Sequence, residues 1–118
     1  MLNEQRASAR VHAYRPVRLH LPRSPRLLET LTKDISIGGV CCISSTAFPI
    51  STQLNLELIL STGEGPISTL GRIAWFRSIP HSEQFDLGIS FLAMPETDKR
   101  RLSVYLGNLA EKLPLINA

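Results

Sequence analysis

The sequence predicts an all-β domain with one C-terminal α-helix, its strands antiparallel and closed into a small barrel. Three observations carry this: apolar residues alternate with polar ones along most of the chain, turn-forming residues recur at even spacing, and the apolar period lengthens near the C-terminus. Alternation with period two places one face of each segment on a core, and short strands of this kind at regular intervals suit a barrel.

Along the chain, residues 1–11 carry no sustained apolar period and read as a flexible arm. Val17, Leu19 and Leu21 alternate with Arg18 and His20, Leu54, Leu56 and Leu58 alternate with Asn55 and Glu57, and Phe85, Leu87, Ile89 and Phe91 alternate with Asp86, Gly88 and Ser90. Turns fall at Pro22–Pro25, Ile37–Gly39, Phe48–Ser51, Ser61–Pro66 and Ile79–Ser82, where Pro, Gly and Ser set the backbone. The resulting strands span about 15–21, 27–35, 39–44, 53–60, 67–78 and 85–92. Trp75 alternates with Ile73 and is assigned to the core. Leu102, Tyr105, Leu106, Leu109 and Leu113 then repeat at three- and four-residue steps behind Glu96 and Asp98, the mark of an amphipathic helix over about 96–112 that Pro114 is expected to stop. The organisation expected is an arm over 1–11, a barrel over 12–94, and a helix and tail over 95–118, within one domain.

Composition narrows the function classes. Cys41 and Cys42 are adjacent, so in a strand they face opposite sides and read as buried thiols of a reduced compartment rather than a disulfide. Neither they nor His12, His20 and His81 have metal-ligand spacing, so no metal is expected. No stretch has the length of a membrane span, and the Met1–Glu4 start lacks a signal-peptide layout, so the expected location is cytoplasmic, without membrane insertion. A nucleophile elbow and a phosphate loop are both missing, so the expectation is a non-enzyme.

The net charge of +3 is unevenly spread: the first 26 residues hold six arginines against Glu4 alone. A basic arm on a nearly neutral body favours a discrete anionic partner. Two clusters sharpen this. Arg6 and Arg10, four residues apart, offer guanidinium forks that suit a guanine edge or a phosphate. Asp34, Ser36, Gly38 and Gly39 offer a carboxylate, a hydroxyl and bare backbone on a tight bend, where a carboxylate accepts from guanine N–H groups and a missing Cβ allows close approach. Each cluster alone has an ordinary structural explanation, a solvated turn for the first and a local bend with left-handed glycine for the second. In this order on a β pattern they point to a ligand bearing guanine and phosphate, with an arm that orders on binding.

The chain here resembles the PilZ domain family of bacterial cyclic di-GMP receptors. The likeness rests on Arg6-x3-Arg10, Asp34-x-Ser36-x-x-Gly39, Gly71-Arg72-Ile73-Ala74-Trp75, Asp86-Leu-Gly88-Ile-Ser-Phe91 and the final helix. It implies a six-stranded antiparallel β-barrel whose N-terminal arm wraps a cyclic dinucleotide against one barrel face, with Arg6 and Arg10 gripping guanine edges and phosphates and Asp34, Ser36 and Gly39 completing the surface. The expected function is a stand-alone receptor that passes ligand binding to a protein effector. A PilZ-like adaptor acting through protein contacts alone is the alternative. Nucleic acid is disfavoured as a partner, because Phe85, Phe91 and Trp75 are assigned to the core and leave no stacking platform.

Overall fold

A computed structural model describes residues 10–23, 26–61 and 63–117, with the backbone alone over 110–117. Its strands are β1 (Val11–His12), β2 (Pro16–His20), β3 (Leu27–Ser36), β4 (Gly39–Ser44), β5 (Gln53–Leu58), β6 (Ile67–Ser78) and β7 (Phe85–Ala93), followed by α1 (Glu96–Asn117). All pairings are antiparallel, and they run β2–β3–β4–β7–β6–β5 and back to β2, which closes a six-stranded barrel. The expected fold class is therefore the observed one.

The alternating leucines do what their period implies. Val17 and Leu19 from β2 and Leu54, Leu56 and Leu58 from β5 fill the interior with Ile35, Val40, Cys42, Ile67, Ile73, Leu87 and Ile89. Burying such a side chain stabilises the fold by roughly 1.5–3 kcal/mol. Leu102 of α1 is fully buried in the same cluster, and Tyr105 and Leu106 pack against it, so the helix caps the barrel core through its apolar stripe. The helix runs through Pro114 to Asn117 rather than stopping before the proline. A proline within a helix gives up the hydrogen bond from its own nitrogen, here to the carbonyl of residue 110.

Of three register shifts in the barrel, one leaves Leu92 as an extra residue on β7 and the other two shape the outer face. Thr32 pairs with Cys42 but Asp34 pairs with Cys41, so Lys33 is an extra residue on β3. Thr32 and Ile35 both face the core, which leaves Lys33 and Asp34, consecutive in sequence, on the outside. The same happens on β6, where Ile73 pairs with Ile89 and Trp75 with Gly88, so Ala74 is inserted. Ile73 stays buried and Trp75 emerges on the outer face, 36% exposed, which corrects its assignment to the core.

β1 is an added piece that extends the pairing of β3: Val11 pairs with Ile35 and His12 with Asp34. The chain between β1 and β2 stays tied to β3, because the Ala13 N–H donates to the Lys33 carbonyl (3.1 Å), the Arg15 N–H to the Thr32 hydroxyl (2.9 Å), and that hydroxyl to the Ala13 carbonyl (2.6 Å). Arg10 is thereby delivered to the side of β3 that the bulge has opened.

Candidate functional site

Register alone assembles a surface on the outside of the barrel. His12, Asp34, Cys41, Gly88 and Trp75 are successive cross-strand partners on β1, β3, β4, β7 and β6. With strands about 4.8 Å apart, this row is roughly 19 Å long. The next row outward on the same face is Ser36, Gly39, Ser90 and Arg72. Gly39, Cys41, Gly88 and Ser90 are all small, so the middle of the face is a low floor between larger side chains.

At one end stands Arg10, whose Nη1 donates to Asp34 Oδ1 at 2.7 Å. The arginine side chain is 45% exposed and the carboxylate 22%, so the pair stands at the surface of the barrel. At the other end Trp75 overlies Gly88, and the Arg77 guanidinium carbon stands 5.4 Å from the indole centroid. Arg72 is exposed and has no side-chain partner among the described residues.

Between the two ends, Asp86 is nearly fully buried and holds two cations. It accepts from Lys33 Nζ at 2.9 Å and from Arg77 Nη2 at 3.1 Å. Burial pushes its carboxyl upward, but the bonds and charges of Lys33 and Arg77 outweigh this and hold it below the usual carboxylate value. The Lys33 ammonium is correspondingly raised, chiefly by its bond to Asp86. Beside them the Cys41 thiol is pushed up to about 11, first by burial and then by the Asp34 and Asp86 charges, so it is a neutral part of the floor.

The bend after β3 is shaped by Ser36. Its buried hydroxyl accepts from the Gly38 N–H (3.2 Å) and donates to the Gly39 carbonyl (3.3 Å), and the Gly38 carbonyl accepts from the Phe91 N–H (2.9 Å). None of the described glycines has a positive φ, so the bend does not use the left-handed conformation that glycine would allow. Gly39 is needed for close approach instead: a β-carbon there would stand 2.3 Å from the Ile89 carbonyl oxygen. Gly38 faces open space, with nothing within 4 Å of such a carbon.

Of the residues expected to form a site, the structure brings Arg10, Asp34, Ser36, Gly38 and Gly39 to one end of this face, while Arg6 lies outside the described residues. Sequence reasoning missed Lys33, Arg72, Trp75, Arg77 and Asp86 as members of the same face. For Arg72, Trp75 and Asp86 the signal was the stretch Gly71–Trp75 together with Asp86–Phe91, which lie on the paired strands β6 and β7. Among the described residues no three His, Cys, Asp or Glu side chains gather as a metal site, and no helix is long and apolar enough to cross a membrane. What the face offers chemically is planar, multi-donor recognition at Arg10 and Asp34, an aromatic surface at Trp75, and positive charge for an anion at Arg72 and Arg77.

The sequence profile of the PilZ domain matches residues 4–108. No curated protein sequence matches the chain. Among solved structures, the PilZ domain of Escherichia coli YcgR with c-di-GMP is similar at a TM-score of 0.71 and 17% identity, covering 92% of this chain and 93% of that one. The YcgR complex with c-di-GMP from the same organism gives 0.78 and 16%, over 96% of this chain and 49% of that one. The Bacillus subtilis inhibitor of motility, MotI/DgrA, gives 0.74 and 20%, over 92% and 50%. The chain thus spans about half the length of the two larger proteins, and at these identities the likeness is one of fold. With a profile match over nearly its whole length and the closed barrel, helix and outer face described above, the chain belongs to the PilZ domain family.

Proposed function

We propose that this chain is a cytoplasmic receptor for cyclic di-GMP and not an enzyme. The ligand lies on the outer face between Arg10 and Trp75, and its binding is relayed to a protein effector through ordering of the arm that precedes Arg10. The observation that carries this reading is the Arg10–Asp34 pair at 2.7 Å, set at the end of a floor of small residues. A guanidinium and a carboxylate held side by side present donors and acceptors in one plane, which suits a guanine edge, and a bidentate contact of that kind contributes roughly 1–3 kcal/mol of discrimination. Arg6 supplies a second fork from the arm, and Ser36, Gly38 and Gly39 hold the bend beneath the ligand. The c-di-GMP in the YcgR PilZ domain supports the same ligand here.

The test is an amide and indole chemical-shift titration with cyclic di-GMP. Shifts at the N-terminal arm and Arg10, at Asp34–Cys41, at Gly88–Phe91 and at the Trp75 indole are expected. Absence of shifts, or shifts centred on the opposite face around Arg18 and Glu57, would overturn the reading, and the former would favour an adaptor working through protein contacts alone.

A further inference from the structure

We infer that the open edge of β6, from Ala74 to Ser78, pairs antiparallel with the same edge of a second copy of this chain, about a two-fold axis at Phe76. β5 accompanies β6 only from Ile67 to Arg72. Ser51 and Thr52 prolong that contact by one residue, through Ser51 N–H to the Ile73 carbonyl (2.7 Å) and Ile73 N–H to the Thr52 carbonyl (2.8 Å). Beyond Ile73, β6 has β7 on one side and, among the described residues, no strand on the other. All five residues from Ala74 to Ser78 are exposed.

The direction of the backbone groups follows from the hairpin end. Ile79 N–H donates to the Gln84 carbonyl at 2.9 Å, so residue 79 bonds towards the β7 side. Alternation then turns Arg77 towards β7 as well and leaves the N–H and C=O of Phe76 and Ser78 pointing outward. Such an edge invites strand addition, and neither lysine nor proline blunts it. Large apolar surface lies beside it: Trp75 is 36% exposed, Phe76 41%, and Ile50, next to Ser51, 53%.

The occupant follows from the charge pattern of the edge itself. Three antiparallel registers let the outward groups of Phe76 and Ser78 in two copies meet, centred on Phe76, Arg77 or Ser78, and the last sets Phe76 opposite Pro80, which has no N–H to donate. The Arg77 register sets two guanidiniums opposite each other, which is repulsive. Centring on Phe76 sets each Arg77 opposite the other copy's Trp75 and stacks the two Phe76 rings on one face. Arg77 already lies 5.4 Å from its own Trp75 ring, so the pairing extends a cation–aromatic contact that is present within the chain. The edge is therefore complementary to itself.

Sedimentation of the full chain from micromolar to millimolar concentration, with amide exchange followed at both ends of that range, tests this. A concentration-dependent dimer with slowed exchange at Phe76 is expected, because the two-fold axis sets Phe76 opposite itself and Ser78 opposite the bulge residue Ala74. F76K, which places two ammonium groups across the axis, is expected to abolish the dimer with far-ultraviolet circular dichroism retained. S78P, which removes an outward N–H that only the Arg77 and Ser78 registers would use, is expected to leave the dimer in place. A monomer throughout, a dimer that survives F76K or is lost in S78P, or exchange at Phe76 that ignores concentration would overturn the proposal.

Discussion

The Trp75 indole covers the α-carbon of Gly88: a β-carbon built on that glycine would stand 2.2 Å from both Cε2 and Nε1 of the ring. The missing side chain on β7 is thus what lets an aromatic ring from β6 settle on the barrel's outer face. Arg77, held by Asp86, stands beside it. Local sequence, a bulge and an ion pair together set one ring beside the candidate ligand surface.

Gly88→Ala and Gly39→Ala are expected to differ. At Gly88 the clash is with the edge of a partly exposed side chain that can swing away, so stability should fall by only about 1 kcal/mol, while Trp75 fluorescence shifts to the red as the ring enters water. At Gly39 the new methyl meets the Ile89 carbonyl, which cannot move without disturbing the β4–β7 ladder. A loss of about 3 kcal/mol or more is expected, read from urea unfolding.

Asp86→Asn removes the charge that Lys33 and Arg77 share. Because those cations are 35% and 69% exposed and can recover water, the expected loss at neutral pH is about 1–3 kcal/mol, less than for a fully buried pair. Asp86 titrates below the unfolded value of about 3.9, so its contribution is present above that pH and disappears as pH falls through the lower folded value. Lys33 is raised, so its share is complete below about pH 10.4 and is lost as pH climbs through the folded value. The gap between wild type and variant should therefore close at both extremes in pH-dependent melting.

The thiols predict a separate alkaline effect. Burial pushes Cys41 up to about 11 and Cys42 up to about 12, whereas unfolded cysteine titrates near 8.5. The folded protein should resist Ellman's reagent at pH 8 and react once denatured. Above about pH 8.5 the unfolded chain releases thiol protons that the folded chain keeps, so stability should decline by up to about 1.4 kcal/mol per pH unit for each thiol. Cys41→Ser should flatten that slope.

The barrel was legible in the sequence because Leu54, Leu56 and Leu58, like Val17 and Leu19, keep strict period two through strands without irregularity. The bulges at Lys33 and Ala74 were not, since an inserted residue changes no composition and inverts the inside–outside assignment of everything after it. Trp75 was misplaced for that reason. At the site, the Asp34–Gly39 bend was readable from residue types, but the reason for Gly39 was not, because it depends on a carbonyl fifty residues away in β7. Lys33 was hidden for the same cause, since it lies 53 residues from Asp86 and reaches it across β4, whereas Arg77 and Asp86 are partners within the β6–β7 hairpin.

The most direct test of the central claim is calorimetric titration of cyclic di-GMP into wild type and Arg10→Ala, beside GTP, cyclic GMP and cyclic di-AMP. The Arg10–Asp34 pair is partly exposed and contributes at most about 1 kcal/mol to stability, so the variant should remain folded. Selective binding by wild type, weakened in Arg10→Ala by at least the roughly 1–3 kcal/mol of one bidentate contact, is the expected result. Equal affinity in the two proteins, or no heat with any of the nucleotides, would contradict the account.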